Sequence, residues 1–166
     1  LVTNGQEPEM IQRLADEDAL PTQLYLSTNA SDYDSFLKIN RPKYDDSWER
    51  WNKTLEMFPE LDTRTVLRVT LIKDWNDSEE MISRFRSIFE KSNAHFVEIK
   101  SYMHIGRSTN RLEYENMVDM DDVRTFSEQI TKNSDRFEVM DESEISRIVV
   151  LQNKKRFTER YLSAYA

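Results

Sequence analysis

Cysteine is absent from this chain, and glycine occurs only twice in 166 residues. With no thiol there is no disulfide, no zinc–thiolate site and no cysteine ligation of an iron–sulfur cluster by the chain's own residues. Metal ligands are not expected from it. No apolar run approaches the ~18 residues that a membrane span requires, and no basic-then-apolar leader precedes the first elements, so the expectation is a chain outside membranes, in the cytoplasm. Positive charge is also in deficit: 23 Lys and Arg against 31 Asp and Glu leave a net charge of −8. That balance argues against a general nucleic-acid binder, because phosphate contact depends on Lys and Arg, but it leaves room for a local patch. Basic residues do cluster in Lys38, Arg41 and Lys43, in Arg107 with Arg111, and in Lys154, Lys155, Arg156 and Arg160.

What is present is a core-forming composition, with three Trp, seven Tyr and eight Phe. This is too aromatic for disorder. Leu1 to Thr3 reads as the end of a strand, so the chain is expected to begin inside a fold. Pro8 beside acids opens a short helix through Met10, Ile11 and Leu14, running to about Asp18. Gln23 to Ser27 alternates as a strand, and Ser31-Asp32 then caps a helix carrying Phe36, Leu37 and Ile39. Trp48, Trp51, Leu55 and Phe58 recur at helical spacing before Pro59. Thr65 to Ile72 is the next strand, and Asp77 or Ser78 caps a helix with a Met81, Ile82, Phe85, Ile88, Phe89 stripe. A further helix spans Asp119 to about Lys132, and Phe137–Met140 and Ile148–Leu151 are two more strands. Strand followed by helix, repeated, predicts a parallel α/β architecture with its site at the carboxyl ends of the strands.

The stretch from His95 to Arg111 organises the rest, since it starts as a strand and ends as a polar loop. Val97 and Ile99 alternate with Glu98 and Lys100, so one face is apolar and the other charged. Arg68 and Thr70 repeat this on the preceding strand. If the strands are parallel and covered on both faces, these charges point into an enclosed space, where they must pair or serve a ligand. Glu98 and Lys100 then form an ion pair, or Lys100 acts as an amine nucleophile with a desolvation-lowered pKa. His104 is a candidate general acid or base, or a hydrogen-bonded loop residue.

The strand-end segments together resemble a known family. Leu1-Val2-Thr3-Asn4-Gly5-Gln6, Gln23 to Ala30, Lys38 to Pro42, Trp48 to Trp51, Arg64 to Lys73, Glu98 to Gly106, Asn110 to Leu112, Glu115 to Met117 and Asp141 to Arg147 are similar, in order and spacing, to the wybutosine-synthesis radical S-adenosylmethionine enzymes, the 4-demethylwyosine synthases. The resemblance implies the second half of a partial (β/α)6 TIM-like barrel over residues 1–152, with extra C-terminal strands, and a tail over 153–166. It implies a lyase that condenses pyruvate with N1-methylguanosine at position 37 of phenylalanine tRNA through a 5′-deoxyadenosyl radical. Its cofactors would be S-adenosylmethionine and a [4Fe–4S] cluster whose three cysteines lie outside this chain, and this part alone would be inactive. Its partners would be the anticodon loop of that tRNA, pyruvate, the upstream half of the same barrel and an electron-donating flavodoxin-like domain.

Position by position, the resemblance places Thr3 and Asn4 against the methionyl part of the cofactor and Ser27 near its ribose. Asn29 stands where the family commonly has Asp, keeping the hydrogen-bonding shape without the charge. Arg68 and Thr70, with Asn29, are implied to be cofactor-binding as well, at lumen positions suited to a carboxylate and a hydroxyl. Glu98, Lys100 and His104 match the substrate end, and Arg107 and Arg111 the rim that tRNA would approach. Read from the residues alone, a non-catalytic α/β interaction domain stays open as an alternative, as does a radical S-adenosylmethionine paralogue that is degenerate or has another substrate.

Overall fold

The computed structural model describes residues 1–162. The last four positions of the expected 153–166 tail lie outside the described residues. Strand β1 (Val2–Thr3) leads through Gly5 to helix α1 (Pro8–Asp16), and β2 (Gln23–Ser27) is followed by α2 (Tyr33–Asn40) and α3 (Ser47–Met57). Strand β3 (Arg64–Leu71), helix α4 (Glu79–Ser92) and strand β4 (Phe96–Ser101) follow, then α5 (Met120–Thr131) and the strands β5 (Phe137–Ser143) and β6 (Ile148–Asn153). The helix starts have local causes. Asp32 and Asp119 each close a capping box with the residue three places on, and the Ser78 hydroxyl accepts the Met81 N–H at 3.4 Å. Pro8 fits the first turn of α1, where its missing N–H costs nothing.

One six-stranded sheet runs in the order β1-β2-β3-β4-β6-β5. The first four strands are parallel, with Ser27 opposite Arg68, Arg68 opposite Glu98, and Thr70 opposite Lys100. The C-terminal pair turns back, and β6 is antiparallel to both β4 and β5. On one face Leu24, Leu26, Leu67, Val69, Val97, Ile99 and Leu151 are fully buried. They meet Trp51 and Leu55 of α3, Phe85 and Phe89 of α4, and Val123, Phe126 and Ile130 of α5. Each such side chain contributes about 1.5–3 kcal/mol by leaving water. This helix-covered face fixes the register, because a slip of one residue would turn the polar set into the core.

The opposite face is where expectation and structure part. Both faces were expected to be covered, but Gln23, Tyr25, Ser27, Arg68, Thr70, Glu98 and Lys100 are only half-buried. Helices lie on one side of the sheet, so the polar face stays partly open. The connection after β4 also holds more structure than a loop, with 3-10 turns at Gly106–Asn110 and Tyr114–Asn116. Strand β5 runs three residues beyond Met140 across a bulge between Val139 and Asp141, which carries the hairpin through the acidic segment. Past β6, Arg156 donates to the carbonyls of Phe58, Leu61 and Asn93 and ties the following residues to the ends of α3 and α4.

Candidate functional site

The carboxyl ends of the four parallel strands converge on one rim. Gly5 sets the first exit: its φ is +75°, and a Cβ there would stand 2.8 Å from Leu26 Cδ1 and 3.1 Å from Trp51 Cδ1. The close approach is therefore to the core, not to a ligand. Thr3 Oγ1 accepts the Gly5 N–H and Asn4 Oδ1 accepts the Gln6 N–H, so both side chains shape the turn that they were expected to line. Helix α3 holds the same rim from outside, with Thr54 donating to the Gly5 carbonyl at 2.9 Å and Trp51 Nε1 to the Ser27 carbonyl at 3.0 Å.

At the exits of β2 and β3 a buried amide does the positioning. Asn76 accepts the Ile72 N–H at 2.7 Å and donates to the carbonyls of Asn29 and Thr70, both at 2.9 Å. Asn29 Oδ1 in turn accepts the Thr70 N–H at 2.9 Å. The Asn29 carbonyl oxygen is thus committed to the fold, and its side-chain NH2 group is the part left to meet a ligand. Nothing in the sequence singles out Asn76. Its signal is weak, a lone Asn before a helix cap.

On the polar face, Arg68 Nε lies 2.8 Å from Glu98 Oε1, and the guanidinium sits 4.3 Å over the Tyr25 ring. Burial, reinforced by the Glu98 carboxylate, pushes the Tyr25 hydroxyl above its ordinary pKa. The pairing of Glu98 with Lys100 is not what forms. Two residues along one strand stand further apart than direct cross-strand neighbours, and register puts Arg68 opposite Glu98. The Lys100 side chain makes no ion pair or hydrogen bond among the described residues; it stands two residues nearer the rim than Glu98, opposite Thr70. It is a half-buried amine on a face that also carries a carboxylate and a hydroxyl.

Beyond β4, His104 Nδ1 lies 3.2 Å from the hydroxyl of buried Tyr102, which also donates to Ser108. The imidazole packs edge-on to Tyr114 at 6.2 Å. Arg111 spends its guanidinium on the carbonyls of Lys38 and Ile39 at 3.0 and 3.1 Å, joining this loop to the end of α2. Arg107 is exposed on a 3-10 turn. The two arginines thus differ: one fixes the loop and one faces solvent.

A cavity of about 590 Å³ opens at the ends of β1 and β2, lined by Asn4, Ser27 and Asn29 and by the connection between α2 and α3. Its size is that of a small-molecule site. Three of the expected cofactor residues meet there, whereas Thr3, Arg68 and Thr70 do not line it. Donors from Asn4, Ser27 and the Asn29 amide suit the hydroxyl and amino acid groups of S-adenosylmethionine. An iron–sulfur cluster does not fit this chain's residues, since no cysteine exists to hold it. Among the described residues no group of His, Asp and Glu could hold a metal ion, and no helix is long and apolar enough to cross a membrane.

Residues 91–153 match the family model described as wyosine base formation. The S-adenosyl-L-methionine-dependent tRNA 4-demethylwyosine synthase of Pyrococcus abyssi is 40% identical over 151 residues, covering 91% of this chain and 44% of that protein. Its counterpart from Arabidopsis thaliana is 36% identical over 159 residues, covering 95% and 24%. The solved "Structure of TYW1 with a lysine-pyruvate adduct bound" superposes with a TM-score of 0.80 at 37% identity, over 93% of this chain and 47% of that one. The "Crystal structure of archaeal TYW1" gives 0.72 at 32% identity. The chain spans less than half the length of these relatives, in keeping with a C-terminal part of a TIM-like barrel. By sequence and by fold the chain is a relative of the tRNA 4-demethylwyosine synthases, and residues 91–153 match the wyosine base formation family model.

Proposed function

We propose that this chain forms, over residues 1–152, the second half of a radical S-adenosylmethionine barrel that builds 4-demethylwyosine on phenylalanine tRNA from N1-methylguanosine and pyruvate. The observation that carries the reading is the inward face of three adjacent strands. There Ser27, Arg68 and Glu98 stand in one register row, with Thr70 and Lys100 in the next. A plain interaction domain has no need of matched charged and hydroxyl groups in register across three strands, because even half-burying charges costs free energy. Asn4, Ser27 and Asn29 hold S-adenosylmethionine in this reading, and Thr3 shapes the turn beside it. Bound beside a cluster held by cysteines outside this chain, S-adenosylmethionine would supply the 5′-deoxyadenosyl radical on taking one electron from that cluster. Arg68 and Glu98 orient each other and the Tyr25 ring, while Thr70 and Lys100 face the small substrate.

A solved relative carries a lysine–pyruvate adduct. Lys100 is unpaired on the polar face, and we assign it to the pyruvate carboxylate as a charge partner. His104, held by Tyr102, is positioned to move a proton at the substrate end. Arg107 meets the tRNA backbone, and Arg111 acts by holding the loop. Such an enzyme would work in the cytoplasm, with the remaining barrel and an electron donor as partners.

The test uses the full-length protein that contains this chain, with N1-methylguanosine-containing tRNA, pyruvate and S-adenosylmethionine. Formation of 4-demethylwyosine supports the reading; turnover of S-adenosylmethionine without that product would overturn it. Lys100→Ala should raise KM for pyruvate about tenfold or more, and Lys100→Arg should restore most of it. If Ala and Arg both abolish turnover instead, Lys100 is a nucleophile and not a charge partner.

A further inference from the structure

The outer wall of the cavity at the ends of β1 and β2 belongs to none of the roles above. It is formed by Gln6, Asn40, Arg41, Lys43 and Tyr44. Three features there point to one kind of ligand. Arg41 and Lys43 bring two cations to the wall in a chain of net charge −8, and Arg41 is held in the left-handed region at φ 47° as the cap of α2. Tyr44 is half-exposed, and the Arg50 guanidinium lies 4.8 Å over its ring. Arg50 is itself fixed by Asp46 at 2.9 Å and by the Gln6 carbonyl at 3.2 Å, so the ring rests on an anchored support. Gln6 is nine-tenths buried; its Nε2 donates to the Ser47 carbonyl at 3.0 Å, but its Oε1 is buried with no hydrogen-bond partner. A buried acceptor without a donor is uncommon, and beside a cavity an N–H of a ligand satisfies it once the Gln6 side chain shifts to admit the contact.

Cations for phosphate, a supported aromatic ring for stacking and an orphan amide acceptor for a base edge are together the recognition set of an unstacked RNA nucleotide. We propose that this wall binds one splayed-out nucleotide of the tRNA loop next to the modified base: its base stacks on Tyr44 and donates to Gln6 Oε1, and its phosphates meet Arg41 and Lys43. Glu7 lies on the same wall and favours a base with an amino group over a bare anion. The inference deepens the proposed tRNA activity and rests on it. It also makes the cavity a shared space, with cofactor groups on the strand side and RNA on the loop side, so that a bound tRNA would close the cofactor's exit.

The experiment measures binding of an anticodon stem-loop RNA to the full-length protein by fluorescence anisotropy at two salt concentrations. Arg41→Ala with Lys43→Ala should weaken binding at least tenfold and reduce the salt slope by about two counterions. Tyr44→Ala should cost about tenfold, and Tyr44→Phe should keep the wild-type affinity. A series of abasic RNAs, one loop position at a time, should reveal a single nucleotide whose base removal costs the same and cancels the effect of Tyr44→Ala. Circular dichroism melts of the variants confirm that they are folded. Wild-type affinity in the folded variants, or a Tyr44→Ala penalty that persists for every abasic RNA, overturns the nucleotide site while leaving the tRNA reading intact. If the wild-type protein does not bind the RNA at all, the tRNA reading fails and this site fails with it.

Discussion

Single residues here do work that their neighbours depend on. Asn76 satisfies one N–H and two carbonyls with one side chain, and it is fully buried. Asn76→Ala orphans all three, so unfolding in urea should show a loss of about 2–3 kcal/mol. Asn76→Asp keeps the acceptor for Ile72 and loses both donors, and it should fall at a similar or lower stability. A wild-type midpoint for both would show that the rim does not need this amide. His95 makes a different case at the opposite end of β4. Its Nδ1 accepts from the Thr65 N–H at 3.1 Å, and burial, with Arg156 and Arg64 nearby, lowers its pKa from 6.5 to about 4. A folded-state value below the unfolded one means that the unfolded chain binds the extra proton. The contribution is complete above pH 6.5 and is lost as pH falls toward 4. Because the ring is half-exposed, solvent screening reduces the effect to ~1–2 kcal/mol. Denaturation at pH 7 and pH 4.8 should show this loss, and His95→Gln should flatten it; an unchanged slope in the variant would assign the dependence elsewhere. The lowered carboxylates at Asp32 and Asp141 lose their stabilisation as pH falls below about 4.

At the scale of elements, the pair Arg68–Glu98 joins β3 to β4 across the polar face, with side chains 30% and 14% exposed. Removing one partner from a partly buried pair leaves the other without compensation, so Arg68→Ala should destabilise by about 1–3 kcal/mol. Replacing both, as Arg68→Met with Glu98→Leu, should cost less, because the desolvation of two charges disappears with their attraction. If the double variant is folded but fails to make product in the full-length protein, the pair is there for orientation of ligands and not for stability. A double variant less stable than Arg68→Ala would contradict this. The alternation of Val97 and Ile99 with Glu98 and Lys100 was enough to read β4 and its polar face, since a period of two is set by the backbone. Which charges meet was not legible. Pairing depends on register between strands thirty residues apart, and that is settled by the core face, where Leu67 and Val97 lie opposite each other. Arg111 and Arg156 were equally opaque, because their partners are backbone carbonyls, which leave no mark in a sequence. The helix caps at Asp32 and at Asp77 or Ser78 were readable for the opposite reason: donor and acceptor lie within four residues.

For the molecule as a whole, the asymmetry of the sheet decides behaviour. One face is sealed by α3, α4 and α5, while the other keeps half-buried polar groups and mixed apolar neighbours such as Ile148 and Val150. The two edges are unlike. Strand β5 carries Asp141 and Glu142, charges that discourage a further strand, whereas β1 (Val2–Thr3) pairs only with β2. Its hold is thin: Tyr25 donates to the Leu1 carbonyl at 2.8 Å, and Leu1 and Val2 remain more than half exposed. If β1 opens, the edge of β2 presents unpaired backbone beside a polar face already short of cover. The 166-residue chain on its own should therefore associate as concentration rises. Sedimentation velocity across a hundredfold range would show the average mass increasing, and amide exchange would be fastest at Tyr25 and slowest at Val69 and Ile99 in the sheet centre. A single monomeric species at every concentration, with Tyr25 protected as well as Val69, would mean that β1 and the polar face are sufficient as they stand. The barrel reading would then lose its claim that this face awaits a complementary half.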